Sequence, residues 1–218
     1  MAESGTALHK LFLAPAGRYS EDIDLVQVRA GAIGDVINAL RVRLDPWLGA
    51  PQRKQGHGRV TLVYRFTSEI PPTVPLRLKV EINTREHFNV YGLCTHPFSI
   101  DSPWYNAAVQ ISTYILEELL GTKLRALYQR KKGRDLYDLW LALSRYPSLD
   151  VTKILTSFRR YMEHGGHGVS QTEYVYNLDA KLADPTFRND IIPLLANNTA
   201  YYTDEAHSMI LNRLLEKL

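Results

Sequence analysis

LRLKVEIN, Leu76 to Asn83, alternates without a break. Successive side chains in a strand point to opposite faces, so Leu76, Leu78, Val80 and Ile82 share one face. Arg77, Lys79, Glu81 and Asn83 share the other. Two more stretches join it. VTLVYRF (Val60 to Phe66) is rich in β-branched and aromatic residues, which suit a pleated, half-buried surface. SEDIDLVQV (Ser20 to Val28) alternates through Asp22, Ile23, Asp24 and Leu25. PPTVP (Pro71 to Pro75) cannot continue a ladder and separates two strands. IGDVINALRVRL (Ile33 to Leu44) has helical spacing at Val36, Ile37, Leu40 and Leu44, and Gly49 to Gly58 reads as a loop or hairpin connection.

After about Asn106 the texture turns helical. Helices are expected at Ala107 to Tyr128, Asp135 to Ser144, Val151 to His164, Gln171 to Ala183 and Thr203 to Leu218. Gly165 to Gly168 and Pro147, Pro185 and Pro193 punctuate them. Strands with a helix first and helices afterwards predict an α+β fold: a mixed-sheet domain over 1–105 and a helical domain over 106–218.

Composition narrows the class. The 218 residues carry a single cysteine, Cys94, which excludes an intrachain disulfide framework and a multi-cysteine zinc site. No apolar run approaches the length of a spanning helix, and His9 and Lys10 spoil the N-terminal stretch as a signal peptide. A cytoplasmic protein with no membrane partner is therefore expected. The net charge of +3 is too small to imply a nucleic-acid partner, but its distribution is uneven. Thr122 to Arg134 holds six basic residues in thirteen and no acid, while Glu21, Asp22 and Asp24 cluster elsewhere.

Four constellations carry chemistry. Asp22 and Asp24 project from one strand face, and two carboxylates there repel unless a cation lies between them; Mg²⁺ takes such oxygen ligands together with substrate phosphates. Ser4, Gly5 and Thr6 precede them with backbone and hydroxyl donors suited to phosphate. Glu81 lies on the polar face of the most regular strand, where it could complete a carboxylate triad if that strand neighbours Ser20 to Val28. Lys123 falls inside the apolar arc of Leu116, Leu119, Leu120, Leu124 and Leu127, which is costly without a buried anion. In KKGRDLYDLW, Asp135 stands where a helix cap or first-turn acid belongs, with Arg134 placed to touch phosphate. Walker A, GxGxxG, HExxH and GxSxG patterns are absent from the sequence.

The ordered set SGTALHKLFL, RYSEDIDLV, LKVEIN and EELLGTKLRALYQRKKGRDLYDLW resembles the AbiEii/AbiGii-type nucleotidyltransferases, toxins of type IV toxin–antitoxin and phage-abortive systems. The resemblance spans about Ser4 to Trp140. It implies a polymerase-β-like nucleotidyltransferase core followed by a helical region that completes the active site. It carries the glycine motif onto Ser4, Gly5 and Thr6, and the metal-binding aspartates onto Asp22 and Asp24. It carries the basic motif onto Lys123 and the final acidic motif onto Asp135, with Arg134 beside it and Glu81 at the third-carboxylate position. One or two Mg²⁺ ions, an NTP substrate, an RNA acceptor such as a tRNA 3′ end and a nearby antitoxin are implied with them. A small-molecule or protein acceptor, or a degenerate binding module, are the alternatives. Two departures stand out. Ser4 replaces the first glycine of the usual motif, and only three residues precede it where relatives carry a helix and a strand. Either a shortened start or a core that tolerates the loss is expected.

Overall fold

The computed structural model describes residues 1–20, 22–196 and 199–218, with the side chains of Glu3 and Ser4 left out. The chain forms two compact units. The first comprises Met1–Thr6 and Ser20–Asn89, and the second Ala7–Tyr19 and Val90–Leu218.

The first unit is a five-stranded mixed sheet with one long helix. Its strands are β1 (Ala2–Glu3), β2 (Asp22–Val26), β3 (Gln52–Gly56), β4 (Arg59–Thr67) and β5 (Pro75–Asn83), in the spatial order β1-β2-β5-β4-β3. β2 and β5 are parallel, and the other neighbours are antiparallel. The alternation of β5 sets the layering. Val80 and Ile82 are buried with Val60, Leu62 and Tyr64 of β4, against Ile37 and Leu48 of the helix α2 (Gly34–Leu48). Ile23, Leu25, Val36, Leu40 and Leu44 pack at the margin of this cluster. The Tyr64 hydroxyl donates to Asp45 at 3.0 Å, which satisfies the one polar group that β4 sends toward the helix. A short helical turn, α1 (Ser4–Ala7), follows β1 directly, so a strand does precede the glycine motif. β3 falls in the stretch expected as a loop or hairpin connection; it is the outer arm of a hairpin with every residue exposed.

The second unit contains a two-stranded hairpin, β6 (Cys94–Asp101) and β7 (Asn106–Thr113), and the helices α3 (Leu116–Gln129), α4 (Gly133–Arg145), α5 (Val151–His164), α6 (Gln171–Leu182), α7 (Pro185–Asn189) and α8 (Thr203–Arg213). The expected helix from Ala107 is thus a strand as far as Thr113, paired residue by residue with β6. Val109, Ile111 and Thr113 alternate with Gln110 and Ser112, and the two alanines hide that period of two. The units also divide the chain elsewhere than at residue 105. Residues 7–19 belong to the helical unit because Leu8 and Leu13 are buried with Leu116, Leu120 and Leu124. The hairpin belongs there because Phe12 packs edge-on against His96 of β6, and the buried Glu118 of α3 accepts the amides of Val90 and Tyr91 at 2.7 and 2.9 Å.

Helix caps follow the sequence: Asp150 accepts from Lys153, Ser170 and Glu173 form a capping box, and Asp184 precedes Pro185 at the start of α7. α3 and α5 meet at Gly121, where a Cβ atom would lie 2.4 Å from Ser157 Cβ and 2.9 Å from the Ile154 carbonyl oxygen. Backbone is the obstacle, so the helices must separate to admit a methyl group. Gly121→Ala is expected to cost about 1–3 kcal/mol, measured by chemical denaturation, with Gly121→Val worse.

Candidate active site

In the first unit the register pairs Asp22 with Lys79 and Asp24 with Glu81. Partnered residues point to the same side, so these four side chains share the face opposite the α2 core. Asp22 Oδ2 lies 2.8 Å from Lys79 Nζ, whereas Asp22 Oδ1 is buried and meets no hydrogen-bond partner. Lys79 Nζ also lies 3.4 Å from Glu81 Oε2, and Arg59 Nη1 donates to Glu81 Oε1 at 3.1 Å. Burial pulls the Lys79 ammonium down, but Asp22 and Glu81 outweigh it and hold its pKa above the ordinary lysine value. The Thr6 hydroxyl donates to the Asp22 carbonyl oxygen at 2.5 Å and lies 2.5 Å from Ser20 Oγ, tying α1 to the start of β2. Gly5 is buried beside it. The side chain of Ser4, and Glu21 as a whole, lie outside the described residues.

The donor chemistry of this face suits a hard divalent cation. An orphaned, buried carboxylate oxygen at Asp22 needs a partner, and Asp24 brings further hard oxygen donors to the same side. Among the described residues no three His, Cys, Asp or Glu side chains form a metal-binding group. Glu81 therefore does not complete a triad; its carboxylate is committed to Arg59 and Lys79. Mg²⁺ needs only one or two protein carboxylates when substrate phosphates and water supply the rest.

In the second unit Lys123 and Asp135 meet in a buried ion network. Lys123 is 3% exposed, and its Nζ lies 3.2 Å from Asp135 Oδ1 and 2.9 Å from Asp138 Oδ2. Arg130 grips Asp135 with two bonds of 2.6 and 2.7 Å. Arg18 grips Asp138 in the same way at 2.6 and 2.8 Å, and His9 Nε2 lies 2.8 Å from Asp138 Oδ1. Burial alone would raise both carboxyls. The Lys123 charge and the Arg130 fork hold Asp135 below the usual carboxylate range, and Lys123 with Arg18 holds Asp138 well below it. Burial keeps the His9 pKa below its ordinary value despite Asp138. The buried anion required by a lysine in an apolar stripe is thus supplied within the unit, and Asp135 works as an ion-pair partner in the first turn of α4 rather than as its cap. Asp138, Arg18, His9 and Arg130 were not singled out from sequence. The available signal was Asp138 one helical turn after Asp135, two carboxylates in a helix whose neighbours are almost all apolar.

The basic run around them is largely engaged. Arg125 stacks over the Tyr161 ring at 5.0 Å, Lys131 pairs with Asp184, and Lys132 pairs with Asp190 at 3.3 Å. The Arg134 amide donates to Asp190 at 3.3 Å. Gly133 is required where it stands, because a Cβ there would lie 2.1 Å from the Phe187 carbonyl oxygen.

A family model described as "Nucleotidyl transferase AbiEii toxin, Type IV TA system" matches residues 5–213. The chain belongs to the AbiEii nucleotidyltransferase toxin family. The AbiEii match runs through both units and contains Gly5, Thr6, Asp22, Asp24, Glu81, Lys123 and Asp135. Among solved structures, the AbiEii chain is similar to MenT4, a nucleotidyltransferase toxin from Mycobacterium tuberculosis, at 18% identity and a TM-score of 0.61, over all of this chain and 75% of that one. That likeness is one of fold: a mixed α/β core with a helical C-terminal region. An antigenic nucleotidyltransferase-like protein from Paracoccidioides brasiliensis aligns at 15% identity and a TM-score of 0.42, over 82% of this chain and 83% of that one. No curated protein sequence matches the chain. Among the described residues no helix is long and apolar enough to cross a membrane.

Proposed function

We propose that the chain transfers a nucleoside monophosphate from an NTP to an RNA acceptor, a tRNA 3′ end being the class that fits best, and that this inhibits growth by removing usable tRNA. The observation that carries the reading is the Asp22–Asp24 face, where a buried carboxylate oxygen is left for a cation. Asp22 and Asp24 would hold one or two Mg²⁺ ions, which supply charge neutralisation at the triphosphate and at the departing pyrophosphate. The acceptor hydroxyl attacks the α-phosphorus, the bond to the bridging oxygen breaks, and the hydroxyl proton passes to solvent. Thr6 fixes the start of β2 and so the direction of Asp22, while Gly5 and Ser4 offer amides to the phosphates. Glu81 positions Lys79 and Arg59 rather than accepting the proton, because both of its oxygens are already bound. Lys123 and Asp135 are committed to one another, and we assign them to fixing the first turn of α4 within the second unit. An antitoxin encoded nearby is the proposed cellular partner, as the type IV family description implies.

The acceptor surface we favour is the polar face of the sheet rather than the basic run. Lys54 of β3, Arg65 of β4 and Arg77 of β5 are exposed there. Arg65 and Arg77 are direct register partners, and like charges placed opposite one another repel. Arg65 is bonded to the neutral Gln52 at 3.2 Å, which leaves its charge uncompensated by that contact. A polyanion would relieve this repulsion. Replacing Arg65 and Arg77 together by glutamine is expected to weaken tRNA binding about tenfold. The slope of log affinity against log salt should fall by about 1 per lost phosphate contact. Replacing Lys131 and Lys132 should change binding less, since both already have carboxylate partners.

The whole reading is tested by incubating the purified chain with each labelled NTP, Mg²⁺ and total tRNA. Label is expected on RNA with one NTP preferred. Label on a protein instead would replace the acceptor, and no label anywhere would remove the catalytic proposal.

A further inference from the structure

We infer that Lys79 is a built-in counter-cation of the Asp22–Asp24 face, which orients Asp22 and lowers the affinity of the face for a free divalent cation. This rests on the metal-site reading above. The register of β2 against β5 places Lys79 opposite Asp22, so the ammonium is fixed by the sheet and not by a mobile loop. Of its two contacts, the one of 2.8 Å to Asp22 Oδ2 crosses to β2, and the one of 3.4 Å to Glu81 Oε2 stays on β5. The Asp22 contact is selective. It engages one carboxylate oxygen and leaves the other, Oδ1, buried without a partner. A carboxylate held in this way cannot rotate to offer both oxygens to one ion, so it presents a single directed donor.

The charge balance gives the second half of the argument. Asp22, Asp24 and Glu81 share the polar face with Lys79 and Arg59, and with Lys54, Arg65 and Arg77 further along it, so these three carboxylates meet five cations. Such a face attracts a divalent ion weakly, because Lys79 repels it at close range. A metal ion arriving with a triphosphate brings its own surplus of negative charge, and Lys79 then attracts the complex instead of opposing it. Lys79 thereby couples metal occupancy to nucleotide occupancy, so that the site loads as a metal–nucleotide complex rather than collecting free cations.

The test measures Mn²⁺ binding by electron paramagnetic resonance, without nucleotide, in the whole 218-residue wild-type chain, Lys79→Met, Lys79→Arg and Asp22→Asn. Methionine keeps the length of the stem and removes the charge. Lys79→Met is expected to bind Mn²⁺ about tenfold more tightly than wild type, from the removal of one positive charge a few ångströms from the ion. It should also melt at a lower temperature in chelator, with the difference closing as Mn²⁺ is added. Lys79→Arg should match wild type in both. If Lys79→Met binds Mn²⁺ no more tightly than wild type while Asp22→Asn has lost binding, the metal site stands and the counter-cation is overturned. If Asp22→Asn binds Mn²⁺ as wild type does, the metal-site reading fails and takes this inference with it. Should Lys79→Met not fold, Lys79→Gln is read by the same criteria.

Discussion

Asp138→Ala is expected to cost about 4 kcal/mol of stability, because breaking a buried pair leaves an uncompensated charge behind. For a chain of this length that is a fall in melting temperature on the order of 10 °C. Asp138 is fully buried and is the common anion of Arg18, Lys123 and His9. Its loss strands Arg18, which is 6% exposed, and leaves Lys123 with Asp135 alone. Lys123→Met should cost less. Asp138 would keep the Arg18 fork and Asp135 the Arg130 fork, so no carboxylate would be orphaned. Calorimetry on the two variants checks the order, and an Asp138→Ala protein as stable as Lys123→Met would remove the claim. The same network sets a pH dependence. The His9 pKa is lowered in the folded chain, so below the ordinary histidine value of 6.5 the unfolded chain takes up a proton that the folded chain does not. Stability is therefore complete above that value and declines as pH falls through it toward the folded value. A second decline follows below the ordinary carboxylate value of 3.8, as pH falls toward the lowered pKa values of Asp135 and Asp138.

What was legible in the sequence was local. The alternation of Leu76 to Asn83, the Asp22–Asp24 spacing and the helical periods after Leu116 each depend on neighbours within one or two turns or strand repeats, and each survives in the structure. The strand at Asn106 to Thr113 is hidden in the sequence because its two alanines suit either period, which leaves the alternation to the five residues from Val109 to Thr113. The ion network was invisible for a different reason. His9 and Arg18 reach Asp138 across more than a hundred residues, and Lys132 reaches Asp190 across 58. A basic run read along the chain looks like a bare cationic surface; folded, it meets acids contributed by distant helices. Lys79 shows the opposite case. It was correctly placed on the polar face, but only the parallel β2–β5 register reveals that it stands opposite Asp22.

Asp22→Asn is expected to lower the rate of nucleotidyl transfer about a thousandfold, about 4 kcal/mol of transition-state stabilisation, while leaving the fold intact. Asparagine has the shape of aspartate but lacks the charge, and its amide donors would face the Lys79 ammonium that Asp22 Oδ2 now accepts. The fold is spared because Thr6 bonds to the backbone carbonyl of Asp22, a contact the substitution keeps, and because the Asp22–Lys79 pair is still partly exposed and contributes about 1 kcal/mol. Glu81→Gln separates the roles on this face. If Glu81 accepted the proton of the acceptor hydroxyl, its removal would cost about 10²–10⁴-fold, comparable with Asp22→Asn. Because its carboxylate instead holds Arg59 and Lys79, the expected loss is about tenfold or less. Initial rates of label transfer for the two variants, with melting curves to exclude unfolding, decide between these assignments. An Asp22→Asn enzyme within tenfold of wild type would show that the reacting phosphate is held elsewhere. A Glu81→Gln enzyme as impaired as Asp22→Asn would return the general-base role to Glu81.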